Sequence, residues 1–300
     1  MQRRVKIHYP LSKMILFLIL VLLYPISTLK GETITVKGSD TMVILAQKWA
    51  ETYMLKHPRT KIQVTGGGSG TGFAALQNQT TDLANASRRI KPSESAACIK
   101  VFRKRPTEIK VCLDGLTVYV NQMNPIEELS LNDLKLIFTG KATNWNRFGG
   151  PNAPITVYSR ENSSGTYEFF KRNILDEMDF AANIQSMPGT AAVVQAVAKD
   201  RYGIGYGGSA YSATAKAVRI SHSDKSKAYA PTEANVRNQN YPIWRHLFIY
   251  INPKQNRDAI ADYLVWIQSE AGQQVVTDVG YFPLHAKQTE TIQLTTHPAP

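Results

Sequence analysis

Residues 61–78 read KIQVTGGGSGTGFAALQN. Lys61–Thr65 alternates Ile62 and Val64 with polar neighbours, which is the period of a strand. Gly66 through Gly72 then supplies glycine, serine and threonine, and Phe73–Asn78 reads as the start of a helix. A strand that ends in a glycine-rich turn and opens a helix is the repeating unit of an α/β sheet. The same unit recurs on both sides. Thr33–Val36 is a strand that turns at Gly38-Ser39-Asp40 into a helix over Thr41–Lys56, with Val43, Ala46, Trp49 or Ala50, and Tyr53 on one stripe. Asp82–Ala86 ends at Ser87-Arg88, and Ile155–Tyr158 runs into Ser159-Arg160-Glu161-Asn162-Ser163-Ser164-Gly165-Thr166, ahead of a helix at Tyr167–Leu175. Further strands are expected at Leu116–Val120 and His246–Ile251. Helices are expected at Ser130–Phe138, with Ser130 and Asp133 spaced as a capping pair, at Ala191–Lys199 capped by Thr190, at Ala259–Ile267 and at Gly272–Val279.

Four of these turns share one chemistry. Gly38-Ser39-Asp40-Thr41, Gly68-Ser69-Gly70-Thr71-Gly72, Ala86-Ser87-Arg88 and Arg160 through Thr166 each set hydroxyls at the carboxyl end of a strand, three of them with glycine beside. Glycine lets backbone N–H groups approach a ligand closely. The free N–H groups of a helix start point outward at the positive end of the dipole. Such ends bind anions, and ligands of open α/β sheets sit outside the carboxyl ends of the strands. For one loop alone, ordinary helix capping by Ser, Thr or Asp explains the residues equally well. Four such loops, two of them with arginine, point to an oxyanion, for which the guanidinium fork is suited.

Composition sets outer limits. The 300 residues are 43% hydrophobic and hold only two cysteines, which excludes a disordered chain, a dense disulfide scaffold and an iron–sulfur site. The net charge is +12. Residues 1–31 hold Arg3, Arg4, Lys6, Lys13 and Lys30 and no acid, so thirty basic residues face 23 acidic ones in the remainder. That first segment places a basic stretch before an apolar run, Met14–Tyr24, closed by Pro25. The run is shorter than the roughly 20 residues a spanning helix needs, so residues 1–31 read as an export signal or, if uncleaved, an amino-terminal anchor. Either reading puts the body of the protein in a periplasmic or extracytoplasmic space. There Cys98 and Cys112 could close a short loop, worth roughly 3 kcal/mol; the other reading is two buried thiols.

The motifs in order resemble the periplasmic phosphate-binding proteins of high-affinity phosphate ABC importers. The residues that carry the likeness are Gly38–Met42, Gly67–Gly72, Ala86–Arg88, Ile137–Lys141 with Asn144-Trp145, Ser159-Arg160 with Ser164–Thr166, Gly203–Tyr206 and Gly280–Leu284. The resemblance implies a two-lobed clamshell of type II. Each lobe would be a mixed, mainly parallel sheet flanked by helices, the two joined by crossing strands near Gly115–Asn121 and Leu247–Asn252. On that basis residues 32–117 and 249–300 form lobe 1 and residues 118–248 form lobe 2. It also implies a phosphate site made by Ser39, Asp40, Thr41, Ser69, Gly70, Thr71, Ser87 and Arg88 from one lobe and Arg160, Ser164, Gly165 and Thr166 from the other. The partners it implies are inorganic phosphate and the membrane permease subunits of an ABC importer, with a monomeric receptor and no cofactor, metal or nucleic acid.

Some members carry Asp where this chain has Arg88, and that carboxylate accepts the proton of hydrogen phosphate. Asp40 is the substitute here, its other reading being the N-cap of the following helix; Asp82 and Glu161 stand further off. Without an acceptor a site cannot reject sulfate through an unpaired buried group, so a receptor for another tetrahedral oxyanion is the rival reading. A phosphate-ester hydrolase would need Ser69 or Ser164 to be activated by a neighbouring base, and no motif places one; the expectation is a receptor, not an enzyme. Gly203–Gly208 matches a dinucleotide-binding glycine pattern, but no strand clearly precedes it. The basic run Lys100–Arg105 reads as a solvated helix face.

Overall fold

The computed structural model describes residues 31–254 and 257–284. The apolar run at 14–24 and the tail beyond Leu284 lie outside them. Among the described residues no helix is long and apolar enough to cross a membrane.

The chain opens β1 (Glu32–Gly38), α1 (Val43–Lys56), β2 (Thr60–Thr65), α2 (Ser69–Gln77), β3 (Leu83–Ala86), α3 (Pro92–Phe102) and β4 (Thr107–Gly115). It continues through β5 (Thr117–Val120), β6 (Glu128–Ser130), α4 (Leu131–Phe138), β7 (Thr156–Arg160), α5 (Gly165–Asn173), β8 (Gln185–Met187), α6 (Thr190–Lys199) and β9 (Gly203–Gly207). It ends with β10 (Lys216–Ala217), β11 (Arg219–Ser221), α7 (Glu233–Arg237), β12 (Trp244–Ile251), α8 (Asp258–Gln268) and α9 (Glu270–Val279). Two five-stranded sheets result, ordered β2-β1-β3-β12-β4 and β10-β5-β9-β7-β8, with β6 and β11 as a separate ribbon. In the first sheet β1, β2 and β3 are parallel and β12 runs against both β3 and β4. In the second, β7 is parallel to β8 and β9, while β5 is antiparallel to β9 and β10. This is the two-lobed, mixed-sheet architecture that the family resemblance implied, built from the α/β units read in the sequence.

One crossing between the sheets lies at Leu116, between β4 and β5. The second lies earlier than Leu247–Asn252. All of β12, from Trp244, pairs with β4 in the first sheet, while Tyr241 and Ile243 pack in the core of the second. The chain therefore re-enters the first sheet ahead of Trp244, because a strand paired along its whole length cannot be shared between two sheets.

Each sheet buries its own core. On one face of the first sheet, Trp49 and Tyr53 of α1 and Tyr263 and Leu264 of α8 pack on Ile34, Val36, Leu247 and Ile249. On its other face, Phe73 and Leu76 of α2 and Phe102 of α3 pack on Ala84, Ala86, Phe248 and Tyr250. The second core centres on Phe138, Phe170 and Tyr206, with Phe170 stacked on Tyr206 at 4.1 Å. Burying one such ring is worth roughly 1.5–3 kcal/mol, and this stack holds α5 against β9.

These faces decide the cysteines. Cys98 of α3 packs with Phe248 and Tyr250, whereas Cys112 of β4 packs with Leu247 and Ile249. Alternate residues of β12 point to opposite sides, so the sheet separates the two thiols. Both are free and buried, and the expected disulfide is replaced by the alternative reading. A disulfide needs Cβ vectors that converge, which these two do not. Burial pushes both thiols up, Cys112 the further. A thiol reagent should modify neither cysteine in the native protein and both after denaturation. Reduction should change neither the mass nor the melting temperature.

Helix α2 begins at Ser69 and not at Phe73, despite Gly70 and Gly72. Glycine is poor in helices, yet a Cβ on Gly72 would lie 2.8 Å from both the Gly38 Cα and the Lys37 carbonyl oxygen. The glycine lets α2 seat directly on β1. The Gly203–Gly207 motif is strand β9, with Gly205 so close to α6 that a Cβ would lie 2.6 Å from Val193; it is a packing feature and not a nucleotide loop. Lys100 and Arg103 through Arg105 are exposed, as a solvated helix end should be.

Candidate functional site

The four donor loops meet between the two sheets. Ser39, Asp40 and Thr41 follow β1, the last two within a single 3-10 turn. Gly68, at φ 92°, turns the chain into Ser69, the first residue of α2. Ser87 follows β3, and Ser164-Gly165-Thr166 opens α5 after Arg160 ends β7. Ser39, Thr41, Ser69, Ser87, Ser164 and Thr166 are all buried.

Four hydroxyls form a continuous chain. Thr41 Oγ1 is 2.7 Å from Thr166 Oγ1, Thr166 Oγ1 is 3.4 Å from Ser87 Oγ, and Ser87 Oγ is 3.3 Å from Ser69 Oγ. Ser69 Oγ also accepts the Ser87 N–H at 3.0 Å. The chain joins three loops of the first lobe to one loop of the second. Gly70 N–H donates to the Ser163 carbonyl at 2.9 Å across the same gap. The close approach depends on glycine: a Cβ on Gly165 would lie 2.2 Å from Ser69 Oγ and 2.7 Å from Ser87 Oγ.

Arg160 is 2% exposed. Its Nη2 donates to Asp40 Oδ2 at 2.6 Å and its Nη1 to Thr190 Oγ1 at 3.0 Å. Asp40 Oδ1 accepts the Gly67 N–H at 2.7 Å. Asp40 is therefore not the N-cap of the helix that follows; its carboxylate ties the second loop to the arginine of the other lobe. Two buried polar atoms here have no protein partner, Ser39 Oγ and Arg160 Nε. Such orphans are rare in native interiors. Tyr211 braces the first loop by donating to the Asp40 carbonyl at 2.8 Å. Burial first, and then the Asp40 charge, push its phenol up, so it stays a donor at neutral pH.

Two expected residues, Arg88 and Thr71, sit elsewhere, and a third, Ser164, also serves its own helix. Arg88 turns away from the hydroxyls and forms a forked pair with Glu94, at 2.8 and 2.7 Å, over the ring of Phe73. Glu94 also accepts the Lys91 N–H at 2.8 Å, so Arg88 serves the start of α3. Thr71 bonds back to the Gly67 and Gly68 carbonyls at 2.8 Å and shapes its own loop. Ser164 caps α5, accepting the Thr166 and Tyr167 N–H groups. Asp82 lies with Arg257 at 2.7 Å, outside the cluster, and Glu161 is 3.8 Å from Arg160. The partners of Ser69 and Ser164 are a serine and backbone N–H groups, and none of them is a base that would activate a nucleophile.

Comparison with known proteins places the chain in a family. A PBP superfamily domain matches residues 25–271. The phosphate-binding protein PstS of Pseudomonas aeruginosa is 34% identical over 269 residues, covering 84% of this chain and 83% of that protein. The chain belongs to this family. SphX of Synechococcus elongatus is 33% identical over 279 residues, 88% of this chain and 82% of that one. Among solved structures, a phosphate ABC transporter substrate-binding protein of Clostridium perfringens with bound phosphate is 26% identical at a TM-score of 0.77, covering 85% of this chain and all of that one. An ABC-type phosphate transport receptor of Vibrio cholerae is 25% identical at a TM-score of 0.67, over 84% of this chain.

Two cross-lobe features of this PstS-family chain were not apparent from its motifs. The first is Arg245, buried at the start of β12, which donates to Thr166 Oγ1 at 3.1 Å. No glycine or hydroxyl loop marks it in the sequence. The second is an ion pair between Lys91 and Glu168 at 2.8 Å, linking the start of α3 to the first turn of α5. Both side chains are partly exposed, at 40% and 28%, and such pairs contribute about 0.2–1 kcal/mol. Lys91→Met should therefore weaken ligand binding by about fivefold at most, and the loss should fade in concentrated salt. A titration at two ionic strengths checks this; a hundredfold loss would make the pair part of the site itself.

Proposed function

We propose that the chain is an exported receptor that binds inorganic phosphate between its two lobes and delivers it to the permease subunits of an ABC importer. The observation that carries this reading is the set of donors drawn from both lobes onto one gap: the hydroxyl chain Thr41–Thr166–Ser87–Ser69, with Ser39 Oγ and Arg160 Nε left without protein acceptors. The phosphate-binding residues we propose are Ser39, Asp40, Thr41, Ser69, Gly70 and Ser87 of lobe 1, and Arg160, Ser164, Gly165 and Thr166 of lobe 2. Lobe 1 is residues 32–115 with the chain from Trp244, and lobe 2 is residues 117–243. Residues 1–31 are the export signal or anchor, and the receptor acts as a monomer outside the cytoplasm.

Charge does not hold the ligand by itself, since Arg160 and Arg245 each face a carboxylate, Asp40 and Asp114. Hydrogen bonds to a charged group contribute roughly 1.5–3 kcal/mol each, and a micromolar dissociation constant needs about −8 kcal/mol. The donor set exceeds that need, and ligand dehydration and lobe closure offset the surplus. Each carboxylate oxygen has two lone-pair directions. Asp40 thus retains capacity to accept the proton of hydrogen phosphate, which sulfate lacks.

The test is calorimetric titration of the anion-stripped protein with phosphate and, separately, with sulfate. Phosphate should bind at least a hundredfold more tightly. Equal affinity would replace phosphate by tetrahedral oxyanions in general, and binding of neither would remove the anion site.

A further inference from the structure

The side chains of Arg245 and Asp114 are 3% and 0% exposed. They occupy paired positions on β12 and β4 of the first sheet, with Asp114 two residues before the crossing at Leu116. Arg245 Nε donates to Asp114 Oδ2 at 3.0 Å, and its Nη1 donates to the Ser87 carbonyl at 3.0 Å. Those bonds stay within lobe 1. The remaining partners come from lobe 2. Arg245 Nη2 donates to Thr166 Oγ1 at 3.1 Å, and the guanidinium lies 5.1 Å from the centre of the Phe169 ring. At the other end of the pair, Asp114 Oδ1 accepts the Ser209 N–H at 3.0 Å.

We infer that Arg245 is a positioning residue for the bound anion: anchored by Asp114, it donates to Thr166 and so turns the Thr166 hydroxyl proton toward the ligand, and it makes this contact only when the lobes meet. The inference rests on the phosphate-binding reading above. A hydroxyl has one proton and two acceptor sites. Arginine has no lone pair to offer, so in this contact Thr166 is always the acceptor. One acceptor site is thereby filled, and the threonine proton is directed to Thr41, Ser87 or an anion among them. The Ser87 N–H acts in the same sense on Ser69 at the other end of the chain. Donors thus enter at Thr166 and at Ser69, fill an acceptor site on each, and turn the protons of both hydroxyls toward their neighbours and the anion. That polarity suits an acceptor-rich anion.

The pair also couples this orientation to closure. Both buried charges gain a hydrogen bond from lobe 2, through Thr166 and Ser209. Buried charges are stable only when their hydrogen-bonding capacity is met, so the closed arrangement completes what the open one leaves to solvent.

A double-mutant cycle on the full chain tests this, with phosphate affinity as the readout and circular dichroism as the check on folding. Arg245→Lys keeps a cation beside Asp114 but lacks the fork that reaches Asp114, Ser87 and Thr166 together. It should weaken phosphate binding about tenfold. In a Thr166→Val background the same change should cost less than twofold, because the hydroxyl it acts on is gone. In a Thr166→Ser background, which keeps the hydroxyl, the tenfold loss should return. If Arg245→Lys does not fold, Arg245→Gln supplies the same cycle. An equal loss in all three backgrounds, or no loss in any, overturns the positioning role while phosphate binding by the unaltered protein stands. Failure of the unaltered protein to bind phosphate overturns the functional reading instead.

Discussion

Replacing Arg160 by alanine should lower phosphate affinity more than a hundredfold while the circular dichroism spectrum stays unchanged. A hundredfold is about 2.7 kcal/mol, and two effects add to exceed it. The first is the loss of a buried guanidinium whose Nε has no protein partner, a charged hydrogen bond worth roughly 1.5–3 kcal/mol. The second is the exposure of Asp40. Its Oδ2 accepts from Arg160 at 2.6 Å, and without that partner the carboxylate repels an entering anion. Adding Asp40→Asn to Arg160→Ala should therefore recover part of the affinity. The melting temperature should move little, although breaking a buried ion pair often costs about 3–5 kcal/mol. Asp40 and Arg160 belong to different lobes, so the pair is buried by closure and not by the folding of either lobe. Calorimetry of the single and double variants checks the argument. Affinity within threefold of the unaltered protein would remove Arg160 from the site.

Arg160 and Arg88 show where sequence reading succeeds and where it stops. Both arginines stand beside serine at the end of a strand, and both look like anion ligands. What separates them is Glu94, which caps the Lys91 N–H and takes the Arg88 fork. That signal was present, since Lys91-Pro92 followed by Glu94 is a proline at the first helical position with an acid in the first turn. Arg245 is a different case. Its partners Asp114 and Thr166 lie 131 and 79 residues away, and nothing local announces them. The strand-loop-helix units were legible because period and glycine placement are local properties. The fate of the cysteines depended on which face of a sheet each one joins, which pairing register decides.

Gly165→Ala should abolish tight phosphate binding and leave the protein open, with its stability preserved. Gly165 is the first residue of α5 and is not among the positive-φ glycines, so alanine suits its backbone and favours the helix. The obstacle lies entirely across the gap. A Cβ would stand 2.2 Å from Ser69 Oγ and 2.7 Å from Ser87 Oγ, both on lobe 1, and both hydroxyls belong to the chain that holds the ligand. Either the lobes stay apart or the two serines rotate out of place, and each outcome removes donors from the anion. Gly72 provides the contrast. Its Cβ would meet Gly38 and Lys37 within its own lobe, so Gly72→Ala should lower the melting temperature as well as the affinity. A ligand can stabilise closure only by binding the closed form better than the open one. Small-angle scattering with and without phosphate should therefore show compaction in the unaltered protein and none in Gly165→Ala. Ligand-induced compaction of Gly165→Ala at unaltered affinity would mean that the lobes close about some other contact.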